Sequence, residues 1–419
     1  MSRLVGIPMW LTGVSARALP ATTTSSLPVH DLLRGPMTAA GAAGPPPILL
    51  FTLGMSTYLI CGTTNRSDHG GDQVMKAAVL RGPATLIYAD VDEPDVEPGS
   101  VLVRVGAVSI CGSDLLRVFG GTAHSYPLIL GHECAGVVAE VGAGVPVDLV
   151  GARVAVVPLV PCMQCASCRR GLYSACARYS FIGSRRAGGF ADYVVAPLRN
   201  AMPLPDALDI EIGAILEPAT IALHALERGG IKSGDRVAIL GSGSVGLCAV
   251  QWARLCGAAH IIATDVVAEN LELARALGAD TTIDGAHEDV VAQVMGLTGD
   301  GVDVALEVAG TPATLRQAVA ATRPRGVVIL IGNQAGDTAL PVTVIDGVMR
   351  RELDVRGAWM SYAAPFPGHE WTETLAAAER GDLRLREMIS HRFPLSEVPD
   401  VFKRIHDHAL PHRKIILTP

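Results

Sequence analysis

Four cysteines with the spacing of a metal site lie within one short segment of the chain. They follow the pattern Cys-x-x-Cys-x-x-Cys-x7-Cys and are Cys162, Cys165, Cys168 and Cys176. Two intervening residues let consecutive thiolates reach one ion, and four sulfur ligands fit the closed tetrahedral site of a structural zinc ion. An iron–sulfur cluster uses the same ligands, so the spacing by itself leaves both metals open.

A second set of possible metal ligands is dispersed along the chain. Cys111 follows an apolar run, His132 and Glu133 come later, and Glu217 lies in a Leu-Glu-Pro segment ahead of a glycine-rich motif. Singly, each has an ordinary explanation as a buried thiol, a hydrogen-bonded imidazole or a solvated carboxylate. Together, they are the ligand types of a catalytic zinc site that keeps one coordination position open. We therefore expect an open metal site here.

A glycine motif, Gly-Ser-Gly-Ser-Val-Gly at 241–246, predicts a dinucleotide site. It follows an apolar strand, runs into a helix and has an acid, Asp265, at the end of the next strand, which is the context that the motif requires. The glycines would permit a tight turn, close approach of the pyrophosphate and close packing of the helix. The expected contact residues are Gly241, Gly243, Ser244, Val245, Gly246 and Asp265. No arginine follows Asp265 to bind a 2′-phosphate, so NAD is favoured over NADP; the alternative is a glycine turn that binds nothing.

Two patterns of secondary structure would position these residues. From Met75 to about Val195, short β-rich runs separated by Gly and Pro predict a compact, mostly β domain. After Gly230, strands such as Arg236–Leu240 and His260–Asp265 alternate with helices. This alternation predicts an α/β unit with a parallel sheet that is covered on both faces.

The composition excludes several classes of protein. The 419 residues have a net charge of -7 and no block of Lys and Arg, which argues against a nucleic-acid or anionic-membrane surface. No apolar run reaches the ~18 residues of a transmembrane helix. The nine cysteines are odd in number and partly clustered, which favours a metal in a reducing, cytoplasmic setting over a disulfide framework.

The first 74 residues differ from the remainder. They contain four Arg, three Asp and neither Lys nor Glu, so they carry +1 and leave -8 for the rest of the chain. Pro, Gly, Ser and Thr interrupt every apolar stretch, and no helical or strand period is sustained. We expect a poorly ordered or non-native extension, with Met75 as the natural start of the functional protein.

The ordered motifs resemble those of the zinc-dependent medium-chain alcohol and polyol dehydrogenases. The segment 131–145, Gly-His-Glu-x-x-Gly-x5-Gly-x-x-Val, is similar to the family signature, and Cys-Gly-Ser-Asp at 111–114, the four-cysteine lobe and the glycine motif follow in the family's order. The resemblance covers residues 75–419. It implies a GroES-like catalytic domain at 75–217, a Rossmann NAD-binding domain at 218–357 and a return of residues 358–419 to the catalytic domain.

The resemblance also implies roles for individual residues. Two zinc ions per chain are expected, a structural one on the four cysteines and a catalytic one on Cys111, His132 and Glu217, with Glu133 as a ligand or a residue that exchanges with one. Ser113 would accept the substrate's hydroxyl proton while a hydride passes to NAD. Many relatives have a histidine where this chain has Leu116, so the outward proton path would use water or Glu133.

The substrate implied by the resemblance is a small polyol. Segments 181–190 and 357–371 are most similar to dehydrogenases of polyol phosphates of the galactitol 1-phosphate type, which form a ketone of the tagatose 6-phosphate type. One of Arg117, Arg185 and Arg186 would bind the phosphate, because a planar guanidinium suits phosphate geometry. Sorbitol, xylitol or L-threonine is the alternative substrate, and a catalytically silent NAD-binding relative is a more remote one.

Two further expectations concern histidines and assembly. His224 and His369 are interpreted as packing or rim residues. The family implies a homodimer or homotetramer that pairs through the nucleotide domain near 342–355.

Overall fold

Short strands build the first half of the chain, as predicted. The computed structural model describes residues 74–333 and 341–419, so the expectations for residues 1–73 lie outside the described residues. Strand β1 begins at Val74, one residue before the expected start. The strands of this half are β1 (Val74–Gly82), β2 (Thr85–Asp92), β3 (Ser100–Ser109), β4 (Leu128–Ile129), β5 (Glu133–Val141), β6 (Arg153–Val156), β7 (Leu159–Val160), β8 (Ser180–Phe181), β9 (Tyr193–Pro197) and β10 (Ala201–Pro203).

The main sheet of this half places the ends of β3 and β5 beside each other. Strand β3 pairs antiparallel with β5, and Ser109 at the end of β3 lies opposite Glu133 at the start of β5. The apolar side chains of β3 are buried on both faces, including Val101, Val103 and Val108 at 0% exposure. This register places the residues that follow β3 beside those that precede β5.

The second half is a doubly wound parallel sheet. Its strands are β11 (Arg236–Leu240), β12 (His260–Asp265), β13 (Thr281–Asp284), β14 (Val302–Glu307), β15 (Thr322–Leu330) and β16 (Asp354–Gly357). Their spatial order is β13-β12-β11-β14-β15-β16, with parallel pairing throughout. This is the strand order of a Rossmann fold, in which ligands bind at the carboxyl ends of the strands where the order reverses.

The C-terminal segment rejoins the first sheet. Strand β17 (Ile389–Pro394) pairs with β18 (Lys414–Thr418), and β18 pairs antiparallel with β3. The helices are α1 (Gly112–Phe119), α2 (Ala166–Arg169), α3 (Ile210–Gly213), α4 (Leu216–Gly229), α5 (Ser244–Leu255), α6 (Ala268–Ala276), α7 (Val290–Thr298), α8 (Pro312–Ala321), α9 (Val342–Arg350), α10 (His369–Arg380) and α11 (Val398–His406). Within the described ranges, none of these helices has the length and apolarity needed to cross a membrane.

Candidate active site

The β3–β5 register brings three predicted metal ligands together. Cys111 follows the end of β3, while His132 and Glu133 stand at the start of β5. One ligand atom from each of the three residues lies within 4.8 Å of the others. A thiolate, an imidazole and a carboxylate at this separation fit a zinc ion that keeps a further position open.

Asp114 contacts two members of this cluster, Cys111 and His132. The backbone N–H of Cys111 donates to Asp114 Oδ2 at 3.2 Å, which closes a capping box at the start of α1. Asp114 Oδ1 lies 3.3 Å from His132 Nδ1, and Asp114 is fully buried. Burial would raise the pKa of Asp114, but His132 and then Arg117 lower it. The carboxylate is therefore held ionised beside the imidazole, although His132 Nδ1 makes no hydrogen bond within the described residues.

Lys414 is a member of the site that sequence reasoning missed. Its Nζ forms an ion pair with Glu133 Oε2, both side chains are 1% exposed, and Nζ also donates to the Ile110 carbonyl at 3.3 Å. The Ser109 hydroxyl donates to the same Glu133 oxygen. Lys414 arrives from the far end of the chain on β18, and the only sequence signal was its place beside the apolar run Ile-Ile-Leu.

Glu217 stands near the cluster but is not part of the close three-residue group. It lies in the first turn of α4, where the positive end of the helix dipole favours a carboxylate. Burial and the negative charge of Glu133 nevertheless raise the pKa of Glu217 to about 7. Burial is the larger cause of this shift, and the contribution of Glu133 places Glu217 within electrostatic reach of the cluster.

Ser113 connects the cluster to a basic side chain. Its hydroxyl donates to Cys111 Sγ at 3.3 Å, and Arg117 Nη1 donates to Ser113 Oγ at 2.8 Å and to Asp114 Oδ1 at 3.0 Å. Arg117 therefore braces the predicted proton acceptor. A guanidinium has no acceptor atom, so it cannot take a proton onward from Ser113.

The other two candidate arginines face different surroundings. Arg185 stacks over the ring of Tyr179 at 4.3 Å and donates to its hydroxyl at 3.1 Å. Arg186 lies 3.7 Å from Glu97. His124, which the sequence gave no reason to select, has a pKa lowered by burial and then by the positive charges of Arg185 and Arg117. Arg185 and Arg117 thus both lie within electrostatic reach of His124.

The four-cysteine lobe has the dimensions of a tetrahedral metal site. The Sγ–Sγ distances are 4.0 Å for Cys162–Cys168, 3.6 Å for Cys165–Cys168 and 3.9 Å for Cys165–Cys176. Zinc–sulfur bonds of ~2.3 Å in a tetrahedron place sulfurs ~3.8 Å apart. The cysteines are therefore arranged as a zinc ion requires.

The glycine motif has the backbone geometry that a dinucleotide needs. Gly241 has a φ of 105°, and a Cβ on Gly246 would lie 1.9 Å from the Gly241 carbonyl oxygen. A Cβ on Gly243 would meet nothing within 4 Å, so this position is open to a ligand. Helix α5 begins directly afterwards with Ser244 and Val245 in its first turn. Its N-terminal amides can therefore bind phosphate.

The predicted acid at the end of β12 holds the loop together. Asp265 Oδ2 accepts the Ser242 N–H at 2.7 Å, and Oδ1 accepts the Val267 N–H at 2.9 Å. Ser244 Oγ donates to the Arg413 carbonyl at 3.3 Å. Asp265 thus positions the glycine turn in addition to its predicted contact with the dinucleotide.

Comparison with known proteins agrees with both halves of the chain. Residues 97–206 match the alcohol dehydrogenase GroES-like domain, and residues 244–380 match the zinc-binding dehydrogenase family. Galactitol 1-phosphate 5-dehydrogenase of Escherichia coli K12 is 38% identical over 348 residues, which are 82% of this chain and 100% of the relative. Sorbitol dehydrogenase of Bacillus subtilis is 35% identical over 342 residues, 80% of this chain and 95% of the relative.

A solved structure of the same relative has a similar three-dimensional fold. The crystal structure of galactitol-1-phosphate dehydrogenase from Escherichia coli superposes with a TM-score of 0.78 at 37% identity, covering 82% of this chain and 100% of that one. The predicted fold class, a GroES-like domain with a Rossmann domain, is confirmed, as is an oxidoreductase that acts on CH–OH groups. The chain belongs to the zinc-dependent medium-chain alcohol and polyol dehydrogenase family.

Proposed function

We propose that the protein oxidises a secondary hydroxyl of a polyol phosphate, of the galactitol 1-phosphate class, to a ketone. The observation that carries this proposal is a line of contacts from Cys111 Sγ through Ser113 to Arg117. Arg117 and Arg185 both lie within electrostatic reach of His124. A dianionic phosphate held by Arg117 and Arg185 would keep the rest of a short polyol beside the metal cluster. Charge-assisted hydrogen bonds from guanidinium groups suit that task.

The residues present fit the family's metal and nucleotide. Cys111, His132 and Glu133 would hold the catalytic zinc, with Glu217 as an additional or exchanging ligand, and the four cysteines would hold a second zinc. The glycine turn would hold NAD. When bound, the zinc polarises the substrate hydroxyl and the nicotinamide accepts the hydride.

The chain's own residues then have distinct tasks. Asp114 would keep His132 oriented, and Lys414 would hold the buried Glu133 side chain in place through their ion pair. Ser113 would accept the substrate's hydroxyl proton within hydrogen-bond reach. Because Arg117 has no acceptor and Leu116 carries no proton, the outward path from Ser113 would pass to water.

A coupled NADH-formation assay tests the substrate. Wild-type protein should show a much higher kcat/KM for galactitol 1-phosphate than for galactitol. Arg185→Ala should reduce that preference about 10- to 150-fold, since a hydrogen bond to a charged group contributes ~1.5–3 kcal/mol. Arg186→Ala, which removes the side chain beside Glu97, should leave the preference unchanged. Equal kcat/KM for galactitol and its phosphate in the wild type would reject a phosphorylated substrate.

An unphosphorylated polyol is the second candidate, favoured by the 35% identity to sorbitol dehydrogenase. The same assay with sorbitol, xylitol and L-threonine discriminates it. A free polyol that is turned over as fast as any phosphate, with no effect of Arg185→Ala, would establish this alternative.

NAD is proposed as the cofactor because the Asp265 carboxylate would repel a 2′-phosphate. The cleft beside Val267, of about 200 Å³, is lined by the acidic Glu269 and by three basic residues of the C-terminal segment, His391, His412 and Arg413. We expect kcat/KM with NAD to exceed that with NADP, and the reverse order would assign these basic residues to the 2′-phosphate.

We infer that a second copy of the chain pairs through the nucleotide domain. Strand β16 ends the order of the parallel sheet, and the neighbouring helix α9 exposes Val342 at 79%, Ile345 at 58% and Met349 at 64%. A stable dimer would bury these apolar side chains. Light scattering should give a dimer or tetramer, and Ile345→Asp should shift it toward the monomer; a monomeric wild type would reject the inference.

A further inference from the structure

A second group of metal-ligating side chains lies where helix α10 packs on helix α4, and none of its members belongs to the active site described above. His224 and Glu227 are three residues apart on α4 and so share one face. His369 and Glu370 form the first turn of α10. Ligand atoms of Glu227, His369 and Glu370 all lie within 4.8 Å of one another.

The side chains of this group are close enough to supply one ligand atom each to a single ion. His369 faces Glu227 through Nε2, at 2.8 Å from both carboxylate oxygens, and faces Glu370 Oε2 through Nδ1, at 3.5 Å. An imidazole gives an ion only one of these nitrogens, and one ligand atom from each of the three residues lies within 4.8 Å of the others. Tetrahedral bonds of ~2.1 Å to nitrogen and oxygen place ligand atoms ~3.4 Å apart. Small rotations of the half-exposed Glu227 and His369 side chains would therefore admit an ion.

A buried oxygen without a hydrogen bond points into the group. Glu370 is 1% exposed, and its Oε2 accepts no hydrogen bond within the part of the chain that the structure describes. Its Oε1 forms a hydrogen bond with His224 Nδ1 at 2.9 Å. Gly368 leaves room for Oε2, because a Cβ there would lie 2.4 Å from it. A buried carboxylate oxygen normally has a partner, so this one requires an explanation.

The charges and ligand types favour a divalent transition-metal ion. Two carboxylates with neutral imidazoles carry a charge of about -2, which such an ion balances. Imidazole and carboxylate ligands suit Zn²⁺, Ni²⁺ and related ions, and a hydrogen bond from an outer imidazole is the usual way of orienting a ligating carboxylate. Glu227 and His369 are 40% and 51% exposed, so an ion can enter from solvent.

We propose that Glu227, His369 and Glu370 form a third metal site, for a divalent transition-metal ion, with His224 orienting Glu370. An ion here would fasten α10 to α4, the helix that also carries Glu217. The interpretation of His224 and His369 as packing or rim residues stays a prediction from the sequence, and this proposal gives both residues a further role in binding.

Isothermal titration of the untagged, zinc-loaded protein with Ni²⁺ tests the proposal. We expect one saturable site per chain and a melting temperature that rises with Ni²⁺ concentration, as for any ligand of the native state. Glu227→Gln and His369→Asn change half-exposed side chains and should still fold, but each should lose at least about tenfold in Ni²⁺ affinity.

His287→Asn is the matched control. His287 is 82% exposed and pairs with Asp284 at 2.8 Å, but it belongs to no group of three ligands among the described residues. Its replacement should leave the affinity for Ni²⁺ unchanged. The proposal is overturned if the wild type binds no Ni²⁺, if Glu227→Gln and His369→Asn bind as tightly as the wild type, or if His287→Asn loses the binding equally. Absence of binding would mean that a proton on His369 neutralises the carboxylates instead.

Discussion

Replacement of Lys414 by methionine tests the electrostatic design of the active site. Lys414 and Glu133 are each 1% exposed and form an ion pair, so water cannot substitute for either partner. Methionine keeps a flexible unbranched side chain but removes the charge. Lys414→Met would therefore leave the Glu133 carboxylate buried with one counter-charge fewer, and it would also remove the hydrogen bond to the Ile110 carbonyl.

The expected loss of unfolding free energy follows from the burial of the Lys414–Glu133 ion pair. Removal of one partner from a buried ion pair costs about 3–5 kcal/mol in the free energy of unfolding. Lys403 provides a matched control, because its Nζ lies 2.6 Å from Asp407 Oδ2 but the two side chains are 72% and 46% exposed. Lys403→Met should cost only about 0–1 kcal/mol, as exposed pairs do. A bound zinc ion would also compensate the negative charge of Glu133. The loss of unfolding free energy in Lys414→Met should therefore lie at the lower end of this range in the zinc-loaded protein and increase after chelation.

Equilibrium urea unfolding, followed by circular dichroism, measures both variants under the same conditions. The double variant Glu133→Gln/Lys414→Met should recover part of the loss, because no buried charge then remains without a partner. Comparable unfolding midpoints for Lys414→Met and Lys403→Met would refute the reasoning. So would a double variant whose loss is simply the sum of the two single losses, since contacting residues are expected to couple.

Three further predictions concern the cofactor turn and the cysteine lobe. Gly246→Ala should lower the unfolding free energy by about 1–3 kcal/mol or prevent folding, because its Cβ would lie 1.9 Å from the Gly241 carbonyl oxygen. A Cβ at position 243 would have no neighbour within 4 Å, so Gly243→Ala should leave the melting temperature unchanged. The same variant should bind NAD more weakly in a fluorescence titration, and unchanged NAD affinity would contradict the role assigned to Gly243. Cys165→Ser should remove one zinc ion per chain by elemental analysis and lower the melting temperature, because a structural zinc contributes directly to folding. Two zinc ions retained in that variant would contradict the assignment.

Local patterns determined much of this protein from the sequence alone. The cysteine lobe, the glycine turn and Asp265 could be read directly because their geometry depends on short spacings, and strand β11 begins and ends where the sequence predicts. The conformation of each of these motifs is determined mainly by residues close to it in the sequence. Cys111, His132 and Glu133 differ, because their ligand types, together with Glu217, suggested one metal site, but the β3–β5 register was needed to join them.

Tertiary structure decided which side chains meet across long separations. The pairing of β18 with β3 brought Lys414 to Glu133, and the packing of α10 on α4 brought His369 to Glu227. Arg117 and Arg185 were equivalent candidates in the sequence, yet only the structure showed that Arg117 braces Ser113. The periodicity of the sequence predicts whether a residue is buried or exposed, but not which residue it contacts. That contact depends on the order of strands in the sheet and on helix packing, which are set only when the whole core forms.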